Sequence, residues 1–164
     1  MTDFTIEDAS ERHMASVLQL NEQFVHYLSP LDADSLAELA QMSDYFRVVE
    51  LQDEVVAFLI ALFPGANYDS PNYRWFDGQG ADFAYIDRIV VSDKARGLSL
   101  GTRLYDDLGA YARSQGINRL TCEYNIRPMN EGSARFHERY GFVEVGQQQL
   151  AGGKVVSLQT CPLA

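Results

Sequence analysis

The chain has 164 residues, 46% of them hydrophobic and 22% charged, an ordinary balance for a domain that buries a core of its own, and one that excludes disorder, collagen-like repeats and coiled coil. Thirteen lysines and arginines stand against 23 aspartates and glutamates, a formal charge of −10 whose field repels phosphate backbones and anionic lipid, so neither nucleic acid nor membrane is an expected partner. Cys122 and Cys161 sit in apolar stretches without CxxC spacing, which argues against a disulfide framework or a metal site. No apolar run reaches the roughly 18 residues of a membrane span, and residues 1–8 lack a basic stretch followed by an apolar one, so a cytoplasmic location is expected.

Residues 4–7 read as a short strand. Apolar positions at Val17, Leu18, Leu20, Phe24, Val25 and Leu28 then fall at helical spacing over 13–28. Ser29-Pro30 breaks that helix, and 32–42 reads as a second, with Leu36, Leu39 and Ala40 on one side. The β-branched and aromatic runs 45–51 and 54–63, joined by Gln52-Asp53, predict an antiparallel hairpin. Residues 64–80 carry three glycines and two prolines and read as a long surface loop. A strand over 82–91, a helix over 97–115 with Leu100, Leu104, Leu108 and Tyr111 on one face, and a strand over 119–125 form a strand–helix–strand unit with parallel strands. A fourth helix over 130–139 stops at Gly141, and strands 142–149 and 155–163 flank Ala151-Gly152-Gly153-Lys154. The expected fold is a single α/β domain over 1–164, of α+β type, with a mixed sheet.

Two segments carry chemistry. In the first, the strand end Val91 passes through a short turn to Arg96-Gly97-Leu98-Ser99-Leu100-Gly101-Thr102 and a helix. The first N–H groups of a helix lack internal partners, the macrodipole is positive there, and glycine admits an anion close to the main chain, a combination suited to a pyrophosphate. The spacing fits neither GxGxxG nor the Walker pattern. In the second, Asn130 is placed to cap a helix that carries Ser133, Phe136, His137 and Tyr140 along one side.

Together these segments resemble the GNAT superfamily of acyl-CoA-dependent N-acyltransferases, over most of the chain. The first is similar to the form Arg/Gln-x-x-Gly-x-Gly/Ala, with Ser99 in place of the first motif glycine. The second is similar to Asn-x-x-small-x-x-aromatic-Tyr-x-x-x-Gly-Phe through Asn130, Ser133, Phe136, Gly141 and Phe142, with His137 where the pattern has tyrosine. Asp87-Arg88, Phe136-His137 and Gly152-Gly153-Lys154 further resemble a bacterial subgroup of acetyltransferases without assigned acceptors. The resemblance implies a mostly antiparallel sheet of about seven strands with four helices around a central βαβ acyl-CoA-binding unit.

The same resemblance implies acetyl-CoA as cosubstrate, its pyrophosphate on the amides of Gly97, Leu98, Ser99, Leu100, Gly101 and Thr102 beside Arg96. Its pantetheine would lie along Ile89, Val90 and Val91, and its thioester near Asn130, Ser133, Phe136 and His137. Attack requires a neutral amine, so a base must take a proton; Asp87 is the candidate, with a salt bridge to Arg88 as its structural alternative. The departing thiolate needs a proton, for which His137 is the candidate and Tyr124 and Tyr140 the substitutes. Acceptor contacts are implied for Phe24, Tyr27, Tyr45, Tyr73 and Trp75. The acceptor itself is a small-molecule amine or a protein amino group, and a homodimer is compatible with the family. Two rival readings remain: a non-catalytic acyl-CoA-binding sensor, motivated by Ser99 and His137, and a serine hydrolase, since Gly97-Leu98-Ser99-Leu100-Gly101 spells GxSxG.

Overall fold

The computed structural model describes residues 3–163. Its strands are β1 (Phe4–Asp8), β2 (Tyr45–Leu51), β3 (Glu54–Leu62), β4 (Ala84–Val91), β5 (Arg119–Arg127), β6 (Val143–Gln149) and β7 (Val155–Pro162). Its helices are α1 (Met14–Gln23), α2 (Ala33–Met42), α3 (Pro71–Asp77), α4 (Leu100–Ser114) and α5 (Glu131–Tyr140). The strands form one mixed sheet in the order β1-β2-β3-β4-β5-β7-β6, with β4 and β5 parallel and the pairs β1/β2, β2/β3, β5/β7 and β6/β7 antiparallel. The described residues fall into two compact units, one of the residues up to Leu62 with Asp87–Leu108, the other of Phe63–Ile86 with the residues from Gly109 onward.

In the first unit, Gln52 and Asp53 turn the β2–β3 hairpin with φ of 52° and 64°, the two-residue connection whose twist matches the flanking strands. Residues 56–62 of β3 are all buried, so the strand reads as an unbroken apolar run rather than an alternating one. The Asp32 carboxylate accepts the Ser35 N–H at 2.8 Å and starts α2. Helix α1 ends five residues before the expected Leu28: Phe24 leaves helical geometry (φ −117°, ψ 20°), and the N–H groups of Phe24, Val25, Tyr27 and Leu28 bond to carbonyls three residues back. Periodicity continued through this segment, but the carbonyl of Ser29 is pulled inward by Asn21 and Arg88, which tightens the chain out of the α-helix.

In the second unit, the stretch expected to be wholly loop contains α3, so the described residues form five α-helices rather than four. Ser70 Oγ accepts the Tyr73 N–H at 3.4 Å, and Pro71 occupies the first helical position, where its missing N–H costs nothing. The helix buries Tyr73 and Phe76 against Phe83 and Tyr85, with ring centroids 5.6 to 6.3 Å apart. Trp75 lies on Gly146 of β6 so closely that a Cβ there would meet its ring at 2.8 Å. Gly141, at φ 117°, closes α5 as expected, with its own N–H and that of Phe142 bonded to the His137 carbonyl.

Candidate active site

In the first unit, the end of β4 is pinned where Ser92 N–H donates to the Val56 carbonyl at 2.7 Å. The chain then makes a 3-10 turn over Asp93–Ala95, and exposed Arg96 pairs with Asp93 at 2.7 Å. Gly97 and Ser99 both have positive φ, 87° and 55°, on either side of Leu98. Ser99 therefore keeps the left-handed backbone that the motif glycine adopts freely, at a steric cost on the order of 1 kcal/mol. Its carbonyl accepts the Arg103 N–H at 3.0 Å and opens α4, and Leu100, 2% exposed, seats the first turn in the core. The amides of Leu100, Gly101 and Thr102 thus make up the first turn, where helical N–H groups lack partners within the helix. Val90 is buried, so what it offers a ligand is main chain, while Ile89 and Val91 are half-buried.

Asp87 and Arg88 form an ion pair at 2.8 Å with side chains only 5% and 6% exposed. The same guanidinium donates to Asn21 Oδ1 and to the Ser29 carbonyl, both at 2.9 Å, and Asn21 Nδ2 donates to that carbonyl at 3.1 Å. This cluster anchors the turn that carries Phe24, which is half-buried, and Tyr27, which is 58% exposed. Tyr45 is buried, its hydroxyl donates to Asp107 Oδ2 at 2.7 Å, and Arg47 lies 5.0 Å from its ring centroid. Burial raises the Tyr45 phenol well above its ordinary range, with the Asp107 carboxylate as the second cause.

The second unit holds Asn130, Ser133, Phe136 and His137 on one helix. Asn130 Oδ1 accepts the Ser133 N–H at 3.3 Å. His137 Nδ1 lies 2.8 Å from the Ser133 carbonyl, which only accepts, so Nδ1 carries a proton, and in the neutral form of the ring Nε2 carries the lone pair. Burial pushes the His137 pKa below its ordinary 6.5, against a smaller upward effect of the Ser133 hydrogen bond. The ring stacks on Tyr124 at 5.7 Å and meets Phe136 and Phe142 edge-on. Tyr73 is wholly enclosed, its hydroxyl donating to the Phe63 carbonyl and accepting the Ala66 N–H, and Trp75 packs on Gly146. Of the aromatics nominated for the acceptor, Phe24 and Tyr27 share a turn in the first unit, where Tyr45 bonds to Asp107, and in the second unit Tyr73 is enclosed and Trp75 packs on Gly146.

Sequence reasoning passed over Glu123, whose carboxylate accepts the Tyr85 hydroxyl at 2.5 Å, because alternation along a strand says nothing about a partner 38 residues away. It also passed over Glu7, His13 and Glu50, whose ligand-type atoms lie within 4.8 Å of one another. There His13 Nδ1 accepts the Ser10 N–H at 2.9 Å, which leaves Nε2–H to donate to Glu50 at 2.8 Å, and Arg12 bridges both carboxylates; the arrangement is a hydrogen-bonded ion network. Among the described residues, no helix is long and apolar enough to cross a membrane.

The sequence model described as Acetyltransferase (GNAT) family matches residues 12–142. No curated protein matches the sequence. Among solved structures, Ard1 from Thermoplasma volcanium superposes with a TM-score of 0.79 at 17% identity, over 98% of both chains. The ribosomal-protein-S18-alanine N-acetyltransferase from Escherichia coli gives 0.71 at 14% identity, over 99% of this chain and 95% of the other. The yncA protein from Salmonella typhimurium, solved with its cofactor acetyl-CoA, gives 0.73 at 18%, over 99% and 95%.

Proposed function

Since the chain belongs to the acetyltransferase (GNAT) family, we propose that it transfers an acetyl group from acetyl-CoA to a primary amine by direct attack in a ternary complex. The observation that carries this reading is the loop before α4: Gly97 and Ser99 at positive φ lead into a helix whose first amides suit a pyrophosphate. In this reading Arg96 and residues 97–102 hold the nucleotide end, and the main chain of Ile89, Val90 and Val91 lines the pantetheine. Asn130, Ser133, Phe136 and His137 flank the thioester, and Phe24 and Tyr27 meet the acceptor. Asp87 takes the amine proton only if its pairing with Arg88 loosens when acceptor binds, because its Oδ2 already accepts from the guanidinium at 2.8 Å. The family match draws on both compact units, which supports one acetyltransferase domain over the whole chain acting on a small-molecule amine or a protein amino group.

The GxSxG alternative has one geometric point in its favour, the left-handed Ser99, and one against it. A triad needs a carboxylate on the Nδ1 side of its histidine, and on His137 that position faces a main-chain carbonyl. The test is a panel of amines with acetyl-CoA, read by thiol release, beside a thermal titration with CoA. Thiol release with one amine class and stabilisation by CoA are expected. Stabilisation without turnover indicates a sensor, and labelling of Ser99 by a fluorophosphonate indicates a hydrolase.

A further inference from the structure

A chain of hydrogen bonds in the second unit has only one consistent direction. Ser157, wholly buried, lies 2.6 Å from the exposed Glu144 carboxylate, and a carboxylate only accepts, so the Ser157 proton is committed to it. Ser157 Oγ must then accept from its other neighbour, the Gln159 amide at 2.6 Å, which turns the nitrogen of that amide inward. The second N–H of the same nitrogen donates to the Tyr124 hydroxyl oxygen at 3.3 Å. Gln159 is 3% exposed, so water does not offer it an easy alternative. Tyr124 is consequently fixed as an acceptor from Gln159, and its own proton points away from the network with no acceptor among the described residues. The ring that stacks on it, His137, has its Nδ1 proton committed to the Ser133 carbonyl, and burial disfavours its charged form.

We propose that Tyr124 gives its phenolic proton to the departing CoA sulfur, and that Gln159 is the positioning residue that aims it. The inference rests on the acetyltransferase reading. The amine lone pair adds to the thioester carbonyl carbon, and collapse of the adduct breaks the C–S bond and leaves its electron pair on sulfur. The Tyr124 proton moves to that sulfur to give the CoA thiol, the phenolate oxygen is stabilised by the Gln159 N–H, and the proton lost from the amine restores the phenol through solvent. His137 then acts through its stacked ring rather than as the donor.

The test compares Tyr124→Phe, which removes one oxygen and keeps the stack, with Gln159→Met and His137→Phe, each checked for a native circular-dichroism spectrum. Both thiol release with the best amine of the panel and acceptor-independent hydrolysis of acetyl-CoA are measured; hydrolysis releases the same thiolate, so the inference remains readable if every amine fails and the transfer reading falls. Tyr124→Phe is expected to lower kcat by about 10²-fold or more with the acetyl-CoA Kd within about twofold. Gln159→Met is expected to lower kcat by a smaller factor, again with Kd unchanged. A Tyr124→Phe protein within threefold of the parent overturns the proposal whatever the His137 variant does, and so does a loss explained by weakened acetyl-CoA binding.

Discussion

Arg88 offers the sharpest test of how the fold supports the turn that carries Phe24 and Tyr27. Replacing it with alanine removes a guanidinium that is nearly enclosed and makes three polar contacts, to Asp87, Asn21 and the Ser29 carbonyl, all between 2.8 and 2.9 Å. Taking one partner from a buried ion pair destabilises by roughly 3–5 kcal/mol, because the remaining charge keeps its desolvation cost and loses its compensation. For a chain of this size that corresponds to a fall in Tm of roughly 6–20 °C. Asn21→Ala removes one bond to the charged group and one to the Ser29 carbonyl, for a loss of about 2 kcal/mol, and leaves the ion pair in place. Urea denaturation followed by far-ultraviolet circular dichroism on the two single variants and the double variant gives the coupling energy directly. The double loss should fall short of the sum of the singles by about 1 kcal/mol or more, since both residues act on the same carbonyl. Because Phe24 and Tyr27 stand on the turn this cluster anchors, Asn21→Ala should also raise the KM for the amine more than that for acetyl-CoA. An Arg88→Ala protein within about 1 kcal/mol of the parent, or additive losses in the double variant, would refute the reasoning.

Ser99→Gly should raise stability slightly, by at most about 1 kcal/mol, since relief of the left-handed strain is partly offset by the greater freedom of glycine in the unfolded chain. Ser99→Val, β-branched at φ 55°, should lower both stability and CoA affinity; thermal melts with and without CoA check both. Glu50 is held at about 2, below its ordinary 4.5, by hydrogen bonding first with Glu7 and then with His13 and Arg12. A depressed carboxyl stabilises the fold fully above its unfolded value and loses that contribution as pH falls from about 4.5 toward 2, so denaturation midpoints should decline over that window and decline less in Glu50→Gln.

The sheet and its central crossover were legible because they rest on local signals. Leu100, Leu104 and Leu108 recur every four residues and are buried together, Gln52-Asp53 spaces a hairpin, and Gly141 takes the left-handed position that ends a helix. The Ser70-Pro71 start of α3 was equally local, but the glycines and prolines around it outweighed it. The site was only half legible. The residues of the loop before α4 and of α5 can be named from spacing, since each set lies on one continuous element. Which aromatics face outward was not legible, because Tyr45 is claimed by Asp107, 62 residues away, and Tyr73 by the Phe63 carbonyl.

The order of residues alone determined the strands, most of the helices, the acidic balance and the amide-rich entrance to α4, properties set by neighbours along the chain, whereas the end of α1 was set by Arg88, 59 residues beyond Ser29. Only the tertiary structure decided how protons are directed: that Asp87 is tied to Arg88, that His137 directs its Nδ1 proton to the Ser133 carbonyl in a buried setting that disfavours its charged form, and that Glu144, Ser157 and Gln159 together orient the hydroxyl of Tyr124. A proton's position depends on burial and on which acceptor stands within 3 Å or so, and β5, α5, β6 and β7 bring those acceptors together from distant parts of the chain.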